Sequence, residues 1–172
     1  MLRALLALSF IVALPLWAAE PRELTWSEML PADTAPAAPP AAMHDLSKLA
    51  DALAAETGPA ASQQSVAAPV VKALDGQLVK LPGYIVPLDV TEEGRVTEFL
   101  LVPYFGACIH VPPPPSNQIE HVTSEIGVLL DALYQPFWVE GPLKTEHVSS
   151  ELAEVGYQME ADKIYAYELP DS

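Results

Sequence analysis

Four consecutive prolines, Pro112–Pro115, restrict this chain more than any other feature. Proline has no backbone N–H and holds φ near −65°, so the run is a stiff polyproline II stretch that donates to no ladder. Any regular structure before and after it must be joined across a rigid crossing. The run follows Tyr104–Phe105–Gly106–Ala107–Cys108–Ile109–His110–Val111 and leads into Ser116–Asn117–Gln118. That stretch holds the single cysteine of the chain, with a histidine two positions on. The 18 prolines cluster elsewhere too, in the aperiodic run 31–42 (PADTAPAAPPAA), which reads as a Pro/Ala linker.

The start of the chain reads as delivery. Met1–Leu2–Arg3 carries positive charge, residues 4–16 are mostly apolar, and the small residues Ala18 and Ala19 precede Glu20. This order is that of a secretory signal peptide, and the apolar run is short for a membrane span. The expected organisation is a signal peptide over 1–19, a Pro/Ala-rich linker with a short amphipathic helix over 20–69, and a β domain over 70–169. The expected location is the bacterial periplasm or the medium, with no integral membrane anchor after cleavage. Within the linker region, Thr25 and Glu28 have capping-box spacing, which predicts one helical turn with Trp26, Met29 and Leu30 on its docking face. Leu46, Leu49, Ala50 and Leu53 recur at helical spacing and predict a helix from His44 to Glu56. Residues 58–68 read as a second linker.

The fold class expected is all-β with small helical additions, arranged as a five-stranded OB-like Greek-key barrel. Its strands are predicted at 78–88, 96–104, 118–122, 137–144 and 157–168. A short helix is predicted at 125–133 from the spacing of Ile126, Leu129, Leu130 and Leu133. Gly83 inside the first strand marks a bulge or bend, as at a barrel corner, and Pro82 and Pro87 belong at a bulge or an edge. The stretch 145–156 is polar and reads as a loop.

Charge excludes one class of partner. Eight Lys and Arg against 23 Asp and Glu give a formal charge of −15. Phosphate recognition needs clustered cations, so nucleic acid is not expected as a ligand. The same imbalance suits attraction of cations or of a basic partner.

Chemistry concentrates at Cys108 and His110. On an extended chain, residues two apart point to the same side, so sulfur and imidazole can converge. Thiolate and imidazole together suit zinc or copper. A site needs three or four ligands, and His121, His44, His147, Glu98, Glu120 and Asp89 are the candidates to complete it, with His121 foremost. A nucleophilic thiolate assisted by His110 is a second reading, with Asn117 available to orient the histidine. A buried, inert cysteine is a third. The proline run either fixes the separation of the two ends of this stretch, presents a ledge to a partner's aromatic groove, or simply crosses between strands. The binding surface expected from it comprises Tyr104, Pro112, Pro113, Pro114, Pro115, Asn117 and Gln118.

Three stretches, LPGYIVPLD (81–89), EFLLVPYFGACIHVPPPPSNQI (98–119) and YQPFWVEGPL (134–143), together resemble the DUF3299 family of exported bacterial proteins of unassigned biochemical function. The resemblance covers residues 70–169 and falls directly on Cys108, His110, Pro112–Pro115, Asn117 and Gln118. It implies association with metal-uptake and ABC-type transport components. It supplies no ligand set. The leading expectation is therefore a non-enzymatic periplasmic accessory protein that binds zinc or copper at Cys108, His110 and His121. The alternative is an envelope interaction module that docks a transporter complex.

Overall fold

The computed structural model describes residues 20–34, 62–108 and 112–168. The expected signal peptide, the helix expected from His44 to Glu56, and His110 itself lie outside the described residues. The strands are β1 (Arg22–Glu23), β2 (Leu78–Val90), β3 (Arg95–Val102), β4 (Glu120–Leu129), β5 (Phe137–Lys144), β6 (Val148–Ser149), β7 (Glu154–Val155), β8 (Tyr157–Glu160) and β9 (Lys163–Ala166). The described helical pieces are short 3₁₀ turns, at Trp26–Met29, Lys72–Leu74, Ser116–Gln118 and Leu130–Ala132. The protein is all-β with small helical additions.

Five strands close a ring of pairings. β2 pairs antiparallel with β3, β3 with β4, and β5 with both β8 and β2, while β4 and β8 run parallel. The last strand of the ring thus lies between the third and the fourth, the order an OB-like Greek key requires. β1 adds in parallel to the first half of β2, and β9 adds to β5.

β2 belongs to two pairings in succession, and glycine makes the transition. Residues 78–83 pair with β5 and residues 84–90 pair with β3. At Gly83 an added Cβ would stand 2.8 Å from both Leu101 Cγ and the Val102 carbonyl oxygen. Only a residue without a side chain lets β3 come this close where the strand turns the corner. Pro87 immediately precedes a register shift, so its missing donor falls at an irregularity.

Two clusters lie on the two faces of this sheet. The inner one includes Leu81, Phe99, Leu101, Val122, Val139, Leu143 and Tyr157. The outer one comprises Val86, Leu100, Val102, Ala107, Ile119, Ala153 and Val155, with Tyr84, Leu88, Tyr104 and Cys108 packed against it. Strand alternation separates them: Leu100 faces out and Leu101 faces in.

Several expectations need correcting. Residues 125–129 continue β4 rather than forming a helix, and only Leu130–Ala132 makes a turn. Ile126, Leu129 and Leu130, which form the helical-period stripe, are exposed, whereas Val128 is buried. Gly127 adopts φ 61° and tucks against the Val96 carbonyl, next to a register shift in the β3–β4 pairing. That irregularity disguises the strand's period. The third strand is accordingly ten residues long. The expected fifth strand breaks into β8 and β9, and the expected loop at 145–156 contains the β6–β7 hairpin. Trp26–Met29 is the predicted turn, with the Thr25 N–H donating to Glu28 Oε2 at 2.8 Å. Gly83→Ala is expected to lower stability by about 1–3 kcal/mol through overpacking, read as a lower denaturant midpoint. An unchanged midpoint would show that the β2 corner is not close-packed.

Candidate functional site: the Cys108 loop and its supports

After β3 the chain makes a tight loop over the outer cluster. Gly106 has φ 82° and Cys108 has φ 66°, the latter being the one described non-glycine residue in the left-handed region. An L-residue there costs roughly 1–2 kcal/mol, so the surrounding contacts must impose it. Ala107, fully buried in the outer cluster, is the peg between them. Phe105 is 63% exposed, with its ring edge-on to Tyr84 at a centroid distance of 5.7 Å.

The Cys108 sulfur is held in partial burial, which pushes its thiol up to about 11. Burial also raises the Tyr104 hydroxyl, and the charge of an ionised Cys108 adds to it, so the two side chains are neighbours. Such a thiol stays protonated at neutral pH, the opposite of what the nucleophilic reading requires. A metal ion would instead displace the proton.

The proline run beyond the loop is packed rather than presented. Pro113 and Pro114 are buried and Pro112 is exposed. The Pro114 carbonyl accepts from Gln63 Nε2 at 3.0 Å and the Pro113 carbonyl from the Gln64 N–H at 3.5 Å. Residues 62–68, expected as free linker, are therefore docked on it. Gln63 also bridges to the β6–β7 hairpin, accepting from the Glu154 N–H and donating to its carbonyl.

Ser116, Asn117 and Gln118 form a buried hub. The Ser116 N–H donates to the Ser65 carbonyl, and its hydroxyl accepts from the Ala68 N–H at 2.9 Å. The Ser116 carbonyl accepts from the Gly156 N–H at 2.8 Å. Asn117 Nδ2 donates to the Pro69 carbonyl, and Gln118 Nε2 to the Trp26 carbonyl. Asn117 and Gln118, expected as binding groups, hydrogen-bond to their own chain, as does Ser116.

His121 stands opposite Leu100 and forms a 2.8 Å hydrogen bond between its Nε2 and Glu98 Oε1. Alongside runs an acidic cleft of about 250 Å³ that includes Asp89, Glu98, Thr123, Glu125 and Glu160. His147 is exposed in the loop after β5. Among the described residues, no three His, Cys, Asp or Glu side chains are grouped so as to hold a metal ion. His121 and Glu98 bond to each other, and Cys108 is the last residue before the gap in the described residues that holds His110, two positions on in the sequence.

Glu120, another candidate ligand, faces the other way. It pairs with Leu101 and Tyr157 and is fully buried on the inner side. Neither of its carboxyl oxygens has a hydrogen-bond partner, and neither does Asn117 Oδ1.

In comparisons with known proteins, the chain matches over residues 26–166 the family described as "Protein of unknown function (DUF3299)". That span begins at Trp26 and so takes in much of the region before residue 70, which the resemblance of the three stretches had not reached. The chain is 62% identical to a DUF3299 family protein from Pseudomonas aeruginosa PAO1, whose crystal structure was determined at 2.45 Å. That likeness covers 89% of this chain and 100% of the other, with a TM-score of 0.77. No curated protein matches the chain.

The strained backbone at Cys108 has a direct test. Cys108→Gly should be more stable than Cys108→Ala by about 1 kcal/mol, because glycine adopts φ 66° freely. Paired denaturant melts measure the difference. Alanine equal to or better than glycine would mean that no strain is stored there.

Proposed function

We propose, for a chain that belongs to the DUF3299 family, that it is an exported, non-enzymatic accessory protein that binds zinc or copper at Cys108 and His110. The observation that carries the reading is the left-handed backbone of Cys108. A cysteine stands where glycine would cost less, on a loop clamped by buried Ala107 and next to a docked proline run. Strain held in place by its surroundings is a mark of functional positions.

The chemistry follows from the two side chains. Thiolate and imidazole are a donor set for zinc or copper, and two protein ligands leave positions open for exchange. That suits a protein that receives and passes on an ion better than one that stores it. The acidic surface, at −15 overall, favours the approach of cations. The reading places the protein in the periplasm, next to metal-uptake or ABC-type transport components of the envelope. A second reading, an interaction module docking such a complex, has the exposed ring of Phe105 beside Cys108 in its favour.

Zinc and copper titrations of the purified protein test the first reading. One ion should bind per chain, and Cys108→Ser and His110→Ala should each abolish binding. Affinity should fall about tenfold per unit of pH lowered, since one thiol proton leaves for each ion bound. Binding that survives Cys108→Ser contradicts the reading. Absence of metal binding, with capture of a transporter component that Phe105→Ala abolishes, would favour the second.

A further inference from the structure

Of the nine large apolar side chains exposed among the described residues, four lie between positions 126 and 134: Ile126, Leu129, Leu130 and Tyr134. Ile126 is 57% exposed and Tyr134 74%. Single apolar residues at a surface are ordinary, whereas a group of them marks a place where something else sits.

A built irregularity turns this group outward. The β3–β4 pairing passes from Glu98↔Thr123 to Val96↔Val128, and residues 124–127 have no register partner on β3. Side chains satisfy the bulged backbone instead. The Ser124 hydroxyl accepts from the N–H groups of Ile126 and Gly127, each at 3.2 Å. Arg95 Nε donates to the Ile126 carbonyl at 2.7 Å, and its Nη2 donates to the Gly127 carbonyl at 2.8 Å. Strand alternation alone would send Ile126 to the inner face after Val122 and Ser124, and the bulge re-aims it to the outside. Leu129 is the register partner of Arg95 and lies on the same face as that side chain. The Leu130 N–H donates to the Gly94 carbonyl at 3.0 Å, which fixes it beside the β2–β3 turn. Tyr134 follows Leu133, which packs on the core.

Charge selects what can cover this surface. Residues 89–95 and 123–134 carry Asp89, Glu92, Glu93, Glu125 and Asp131 against Arg95 alone. All five carboxylates are exposed, while the guanidinium is committed to the bulge carbonyls. A second copy would bring five like charges against these five, and an anionic lipid surface is repelled in the same way. A partner with cations flanking an apolar ridge meets both demands.

We propose that this end of the strand ring is a docking surface for a basic amphipathic polypeptide segment. Its apolar side chains would cover Ile126, Leu129, Leu130 and Tyr134, and its Lys or Arg groups would meet the surrounding carboxylates. The surface uses no residue of the Cys108 loop, so it stands independently of the metal reading.

Amide NMR of the full chain, titrated with an amphipathic peptide of leucine and lysine, tests the proposal. The Gly94, Ile126, Leu130 and Tyr134 amides should shift saturably, and added salt should weaken the binding. Affinity should fall about tenfold in Ile126→Thr and in Tyr134→Ser. Tyr134 lies outside the strands, so its variant decides the matter should Ile126→Thr not fold. Peptides with serine for leucine, or glutamate for lysine, should leave these amides unmoved. Shifts centred elsewhere, or wild-type affinity in the folded variants, overturn the proposal. So do shifts of the same amides with protein concentration alone, the mark of a second copy. Their broadening on phosphatidylglycerol vesicles without peptide, the mark of a lipid surface, overturns it as well.

Discussion

The hydrogen bonds of the Ser116–Gln118 turn are the constraint on which the rest of the structure depends. A run of four prolines delivers the chain to this point without a single amide donor, so the next three residues carry the satisfaction of the surrounding backbone. They do so with both main chain and side chains, reaching residues 65, 68 and 69 on one side, Trp26 on another and Gly156 on a third. Segments far apart in sequence are thereby fixed around the start of β4. The ring of strands, the strap over residues 22–30 and the Cys108 loop are all referenced to that turn.

Ser116, Asn117 and Gln118 are buried, as are their partners Ala68 and Gly156, which raises what is at stake in those bonds. A buried donor or acceptor left alone costs about 1–3 kcal/mol, so breaking one contact of the hub is felt throughout it. The same physics makes Glu120 conspicuous. It sits two residues after Gln118, on the inner face, with both oxygens unpartnered. The hub and the acid meet at Tyr157, which is both the register partner of Glu120 and an anchor for the strap. Rigidity on the outer face, where Cys108 is held, and an unpartnered buried carboxyl on the inner face thus share one stretch of chain.

Much of the ring was legible in the sequence. β2, β3 and β5 alternate or run apolar over their length, and Gly83 with Pro87 announced the corner and the irregularity. The stretch after Ser124 was not legible, because Gly127 in the left-handed region shifts the register and leaves Ile126, Leu129 and Leu130 at a spacing that imitates a helix. The docking of residues 62–68 was hidden for another reason: it uses Gln and Ser hydrogen bonds rather than apolar contacts, and such composition reads as linker. The burial of Glu120 ran against the default that charged side chains face water. At the candidate site, composition picked out Cys108, but neither its left-handed backbone nor the packing of Pro113 and Pro114 could be read from residue types.

The central claim is that the Cys108 sulfur is a metal ligand. X-ray absorption at the zinc edge of the zinc-loaded protein tests it most directly. The account predicts a sulfur neighbour at about 2.3 Å together with imidazole nitrogen at about 2.0 Å, the sulfur being absent in Cys108→Ser. A first shell of nitrogen and oxygen alone in the wild type would contradict it.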